Sequence, residues 1–119
     1  MRVFVCDDNR EYRELVRLVL GEVHEIVGEA RDGQEAIEQA PETQPDVLLL
    51  DLNMPRLSGY DALPRLREVL PDDTKIVILT SGRAEDERQR AIDTGADGFI
   101  RKPESVFDLP DELSAALAA

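Results

Sequence analysis

A chain of 119 residues supports one domain, able to bury roughly two-thirds of its unfolded surface. Its 42% hydrophobic residues suffice for a core and its 34% charged residues for an exterior, but with two tyrosines, three phenylalanines and no tryptophan that core must be aliphatic. A formal net charge of −12 argues against binding of nucleic acid phosphates or anionic membranes by the domain itself, and suits a divalent cation or a basic partner.

Short apolar runs alternate with helical patterns five times, the sequence form of an α/β fold with a parallel sheet. The first strand is expected at residues 3–6, and MRVFVCDD reaches two acids too soon to be a secretory signal. Cys6, the single cysteine, has no partner for an internal disulfide; it reads as a buried core thiol in a reducing cytosol. The first helix follows Asn9, a good N-cap, with Tyr12, Leu15, Val16, Val19 and Leu20 at helical spacing. A strand at 25–30 leads to a second helix over about 33–40, expected to end at Pro41.

The third strand, VLLL at 47–50, has the continuous apolar character of a strand buried on both faces, and it delivers Asp51 to its carboxyl end. Ser58 can cap a third helix, but Pro64 removes the hydrogen bond to the Tyr60 carbonyl, so a kink or a late start is expected. A fourth strand at 76–80 precedes a helix over about 85–94 whose apolar residues are little more than Ala91 and Ile92; its hold on the sheet should be weak. The last strand, 98–100, is followed by the helical tail LPDELSAALAA with Pro110 in its first turn. No apolar run approaches the ~20 residues of a membrane span, and no repeat or linker divides the single domain 1–119.

In an open parallel sheet, ligands gather outside the carboxyl ends of the strands, near the point where strand order reverses. Four of the five strands end there in reactive groups: Asp7 and Asp8, Asp51, Thr80 with Ser81, and Lys102. Singly these are caps, turn hydroxyls or a solvated lysine. Together they describe carboxylates that repel and call for a hard cation, with Lys102 and Thr80 beside them to hold a phosphoryl group. Without a cation, the mutual repulsion of Asp7, Asp8 and Asp51 is expected to raise carboxylate pKa values and cost stability at neutral pH.

The segments VCDDN, LLLDLNMPRLSG, ILTS and GADGFIRKP resemble the receiver domain of two-component response regulators, chemotaxis regulators among them, over essentially all of the chain. The resemblance implies a doubly wound, flavodoxin-like five-stranded sheet of order 2-1-3-4-5 with helices on both faces. It implies Asp51 as phosphoacceptor, and magnesium, or manganese in its place, held by Asp8 and Asp51 directly, by Asp7 mainly through water and by the backbone carbonyl of Asn53. Thr80 becomes the switch hydroxyl, Lys102 the phosphate-pairing lysine and Phe99 the aromatic switch residue. The implied partners are a histidine kinase or phosphotransfer protein as donor, and an output domain or effector engaged through helix 4, strand 5 and helix 5, all in the cytoplasm. Such a domain catalyses only its own phosphorylation and dephosphorylation. Gly82, two residues past Thr80, has no side chain to orient or block an attacking water.

Three rival functions share parts of this pattern. A magnesium-dependent aspartyl phosphatase resembling the haloacid dehalogenases needs an Asp-x-Asp pair, but Asn53 stands at the second position and cannot take a proton. A flavin-mononucleotide binder would meet an acidic loop after the first strand, which repels its phosphate. An interaction module that has lost phosphorylation would not need the complete set of site residues.

Overall fold

The computed structural model describes residues 1–118; Ala119, the last residue of the expected fifth helix, lies outside the described residues. Strands β1 (Arg2–Cys6), β2 (Glu25–Ala30), β3 (Val47–Leu50), β4 (Lys75–Thr80) and β5 (Gly98–Arg101) form one parallel sheet in the order β2-β1-β3-β4-β5. Between them run α1 (Arg10–Leu20), α2 (Gly33–Thr43), α3 (Gly59–Val69) and α4 (Glu87–Thr94), while a 3-10 turn at Val106–Asp108 leads into α5 (Leu109–Ala118). This is the doubly wound, flavodoxin-like fold, and its order reverses between β1 and β3.

Alternation of side chains along each strand explains why the strand sequences are apolar throughout. Phe4, Cys6, Leu48, Leu50, Ile76 and Ile78 face one layer, where they pack with Ala36, Ala40, Ala62, Leu63 and Leu66 of α2 and α3. Val3, Val5, Val47, Leu49, Val77 and Leu79 face the other and meet Val16 and Leu20 of α1 and Leu109 and Leu113 of α5. No helix among the described residues is long and apolar enough to cross a membrane.

Several element boundaries differ from the sequence expectation. Three strands each gain one charged residue at an end, Arg2, Lys75 and Arg101, because backbone pairing continues past the apolar run. Pro41 does not end α2, which continues to Thr43. Lying in the last turn of the helix, two residues before Thr43, the proline forfeits only the bond to the Ile37 carbonyl. The chain then turns at Gln44, left-handed at φ 50, whose N–H donates to the Pro41 carbonyl at 3.3 Å. Likewise α3 starts on time: the Ser58 hydroxyl accepts from the Asp61 N–H at 3.3 Å, and the helix runs from Gly59 through Pro64 to Val69. Helix α4 begins at Glu87, two residues late, since Asp86 supplies no side-chain cap.

The register then places the site. Cys6 pairs with Leu50 and Leu50 with Ile78, so Asp7 and Asp51 leave neighbouring strands side by side. Backbone bonds carry the order one residue further, with Asp7 N–H donating to Ala30 O and Asp51 N–H to Cys6 O, each at 3.0 Å. At Gly59, α3 presses directly on the segment that bears Asp51. A Cβ there would collide with the Asp51 carbonyl and lie 2.8 Å from Leu52 Cα, both of them backbone atoms. Gly59→Ala is therefore expected to destabilise the fold by about 2 kcal/mol. Urea unfolding should show a lower midpoint at unchanged slope, and an unchanged midpoint would contradict this packing.

Candidate phosphoacceptor site

The edge beyond β1 and β3 is built from buried charge. Asp7 and Asp51 are 2% and 5% exposed, while Asp8 between them in sequence faces solvent. One carboxylate oxygen from each of the three lies within 4.8 Å of the others. Local bonds orient them: the Asn9 N–H donates to Asp7 Oδ1 at 2.8 Å and the Asn53 N–H to Asp51 Oδ1 at 3.3 Å. The Arg13 guanidinium grips the Asp7 carbonyl at 2.6 Å. Asn53 itself is exposed on the loop beside Asp51.

From beyond β5, Lys102 enters the same space. Its backbone N–H donates to the Thr80 carbonyl at 2.8 Å, extending the β4–β5 ladder by one bond. Its ammonium lies 2.7 Å from Asp7 Oδ2 and 3.5 Å from Asp51 Oδ2. The contact with Asp7 is thus the tighter of the two ion pairs and gives that buried oxygen its charge partner. Burial pushes the Asp7 carboxyl above its usual range against the pull of Lys102 and the Asn9 N–H, and the Asp51 charge adds a smaller push. Burial, then, and not like-charge repulsion, is the chief cause at Asp7. A donor set of three carboxylates, all oxygen, fits a hard divalent cation better than a thiophilic or imidazole-seeking one.

Thr80 and Phe99 stand further from the carboxylates. The Thr80 hydroxyl, fully buried, accepts from the Gly82 N–H of its own loop at 3.3 Å. Phe99 is already packed into the core layer at 7% exposure. The structure thus gathers Asp7, Asp8, Asp51 and Lys102, sets Asn53 at their margin, and places Thr80 at the next strand end and Phe99 in the core behind.

Two residues escaped the sequence reading. Tyr12 was legible only as part of an apolar helix face, yet its ring covers the Lys102 ammonium at 4.2 Å. Arg56, left-handed at φ 66, ion-pairs with the buried Asp32 that caps α2 and ties the loop carrying Asn53 to that helix. Nothing in its sequence context signals this, since the pair spans 24 positions.

Fold and edge together describe a flavodoxin-like sheet whose carboxyl edge gathers three acids and a lysine, and comparison with known proteins identifies its family. The profile of the response regulator receiver domain matches residues 3–114. The chain is 38% identical over 117 residues to response regulator MprA of Mycobacterium avium (strain 104), covering 98% of this chain and 51% of that protein. It is 35% identical over 118 residues to chemotaxis protein CheY of Halobacterium salinarum, covering 99% and 98% respectively. Among solved structures, the response regulator domain of Thermotoga maritima CheB superposes with a TM-score of 0.85 at 29% identity, covering 100% of this chain and 97% of that one. The isolated REC domain of RcsB from Salmonella enterica, determined with the phosphomimetic BeF3-, also gives 0.85, at 25% identity and with 100% and 89% covered. The chain belongs to the response regulator receiver domain family, signalling domains of two-component systems. It spans about half the length of MprA and nearly all of the archaeal CheY.

The Asp32–Arg56 pair makes stability depend on acid. Burial alone would raise the Asp32 pKa, but the Glu35 N–H and the Arg56 guanidinium outweigh it and hold the carboxyl below its usual range. A depressed folded pKa contributes stability above the unfolded value of about 3.9, lost as pH falls through the folded value. Asp32→Asn, which keeps a capping oxygen but not the charge, should cost about 1 kcal/mol at pH 7. Chemical unfolding at pH 7 and at pH 3 should show that deficit shrinking on acidification. A deficit that grows would reverse the assigned sign.

Proposed function

We propose that this domain takes a phosphoryl group from a phosphohistidine of a histidine kinase or phosphotransfer protein onto Asp51, in a reaction that requires magnesium or manganese. The observation that carries this reading is the convergence of Asp7, Asp8, Asp51 and Lys102 on one strand edge. An Asp51 oxygen attacks phosphorus, the phosphorus–nitrogen bond breaks, and the electron pair leaves with the imidazole. Aspartate needs no general base for this, so alignment and charge neutralisation are the main demands. Asp8 and Asp51 with their carboxylates, Asn53 with its backbone carbonyl, and Asp7 chiefly through water would hold the cation, which when bound supplies positive charge to the phosphoryl oxygens. Lys102 supplies a second positive charge next to Asp51 Oδ2, 3.5 Å away.

The domain then acts as a signalling switch that catalyses only its own phosphorylation and dephosphorylation in the cytoplasm. The phosphoryl group draws the Thr80 hydroxyl off the Gly82 N–H, and the α4–β5–α5 face, with Phe99 beneath it, changes toward an output domain or effector. Two features of α4 favour that face. Only Ala91 of the helix is buried, and Ile92, expected to help anchor it, is 38% exposed. The phosphomimetic present with the RcsB domain is consistent with such chemistry in a relative. We assign residues 1–119 to this one domain.

Intact-mass measurement with a small phosphodonor tests the acceptor. The wild type should gain one phosphoryl group with magnesium and none in chelator, while Asp51→Asn and Asp8→Asn should fold and gain none or nearly none. Stable phosphorylation of Asp51→Asn would remove Asp51 from its role, and repeated turnover of the donor would favour a phosphatase.

Amide hydrogen exchange with and without beryllofluoride tests the switch. Protection should change in α4 and β5 by severalfold and stay constant in α2, which is pinned at its cap by Asp32. Unchanged protection in both α4 and β5 would refute signalling through this face.

A further inference from the structure

The first turn of α1 supplies one wall of the charged edge. The Asn9 side chain caps the helix by accepting the Tyr12 N–H at 3.0 Å, which fixes the backbone from which the tyrosine ring projects. One part of that ring packs on the core layer formed by α1 and α5, and its face takes the Lys102 ammonium 4.2 Å from the centroid. That distance is well within the range of a cation–π contact. The ring's own hydroxyl is buried without a hydrogen-bond partner, so it contributes nothing to holding the lysine. Burial, reinforced by Asp7 and Asp51, pushes the phenol up to about 12, and the ring stays neutral.

Lysine carries its charge on a flexible four-carbon stem and gives up conformational freedom when that charge is fixed. Here three groups fix it: Asp7 Oδ2 at 2.7 Å, Asp51 Oδ2 at 3.5 Å and the Tyr12 face. Only the ring carries no charge, so it holds the ammonium without competing for a cation. We propose that Tyr12 is a positioning residue for Lys102, its ring face keeping the ammonium between Asp7 and Asp51, where it both offsets the empty acidic edge and stands ready beside the acceptor. The consequence for phosphoryl transfer rests on the function proposed above; the placement of the lysine does not.

The placement has two effects of opposite sign. An ammonium held against Asp7 competes with a divalent cation for the carboxylates. The same ammonium held beside Asp51 favours capture of a phosphoryl group. Removing the ring frees the lysine toward solvent, so magnesium should bind more tightly while phosphorylation slows. General loosening of the edge would weaken both.

The test compares Tyr12→Phe, Tyr12→Leu and the double variant Tyr12→Leu/Lys102→Met with the wild type and Lys102→Met. Magnesium affinity is titrated by NMR, the phosphorylation rate by acetyl phosphate is followed at saturating magnesium, and order of the Lys102 ε-methylene is read by 13C relaxation without metal. Tyr12→Phe should match the wild type in all three. Tyr12→Leu should disorder the ε-methylene, bind magnesium roughly threefold more tightly and phosphorylate about three- to tenfold more slowly, changes within what a cation–π contact can supply. On the Lys102→Met background, Tyr12→Leu should change neither constant. Weakened magnesium binding in Tyr12→Leu, an unchanged methylene, or a Tyr12→Phe that behaves like Tyr12→Leu would overturn the proposal. A wild type that gains no phosphoryl group would instead refute the proposed function, with the relaxation and magnesium measurements still deciding the role of Tyr12.

Discussion

Lys102 brings its ammonium within 2.7 Å of Asp7 and 3.5 Å of Asp51, two carboxylates almost removed from water, and the sheet edge is arranged around that contact. Buried carboxylates without a counter-charge are costly, so an edge that holds two of them side by side is stabilised by the lysine between them. The parallel register leaves no choice in the matter. Once Cys6 pairs with Leu50, the residues that follow must emerge together, and β5 must extend far enough to deliver Lys102 opposite them. One ammonium against three carboxylates still leaves excess negative charge. That excess is the physical reason such an edge suits a divalent cation, while the raised pKa of Asp7 reflects chiefly its burial.

The loops around this edge are held to different degrees. After β3, the loop bearing Asn53 is fixed through Arg56 to the buried Asp32 at the start of α2, while Gly59 lets α3 close onto the Asp51 backbone. After β4, the chain is held from one side by Arg101, whose guanidinium bonds the carbonyls of Gly82 and Ala84 and the Glu87 carboxylate and lies 5.2 Å from the Phe99 ring centroid. The Glu87 carboxylate also sits against Gly82, close to where a side chain at that position would begin. The helix beyond has one buried residue. A loop after β3 tied at two points, beside a helix with one buried residue, is the mechanical contrast that the proposed switch would use.

Much of this was legible in the sequence because the informative residues obey local rules. VLLL followed by an acid announces a central strand and its chemical end, and Asn9 and Ser58 cap the helices that they were expected to cap. The prolines misled because their effect depends on position. Pro41 in a last turn and Pro64 within a packed helix each cost one bond, which the surrounding contacts of α2 and α3 absorb. Tyr12 and Arg56 were not legible as site residues. One looks like any apolar helix position and the other like any loop charge, and only the fold reveals that each meets a partner far along the chain. The like-charge argument for the acidic edge had the right sign at Asp7 but the wrong leading cause, because a sequence lists charges and not their burial.

The account stands on Asp51 being the atom donor in a new acyl phosphate bond, and chemical mapping of that bond addresses it without any substitution. Wild-type protein phosphorylated in magnesium, trapped by borohydride reduction and digested should yield homoserine at position 51 and at no other acid, with the parallel chelator sample yielding none. Homoserine at Asp7 or Asp8, or labelling at Asp51 of equal yield in chelator, would contradict it.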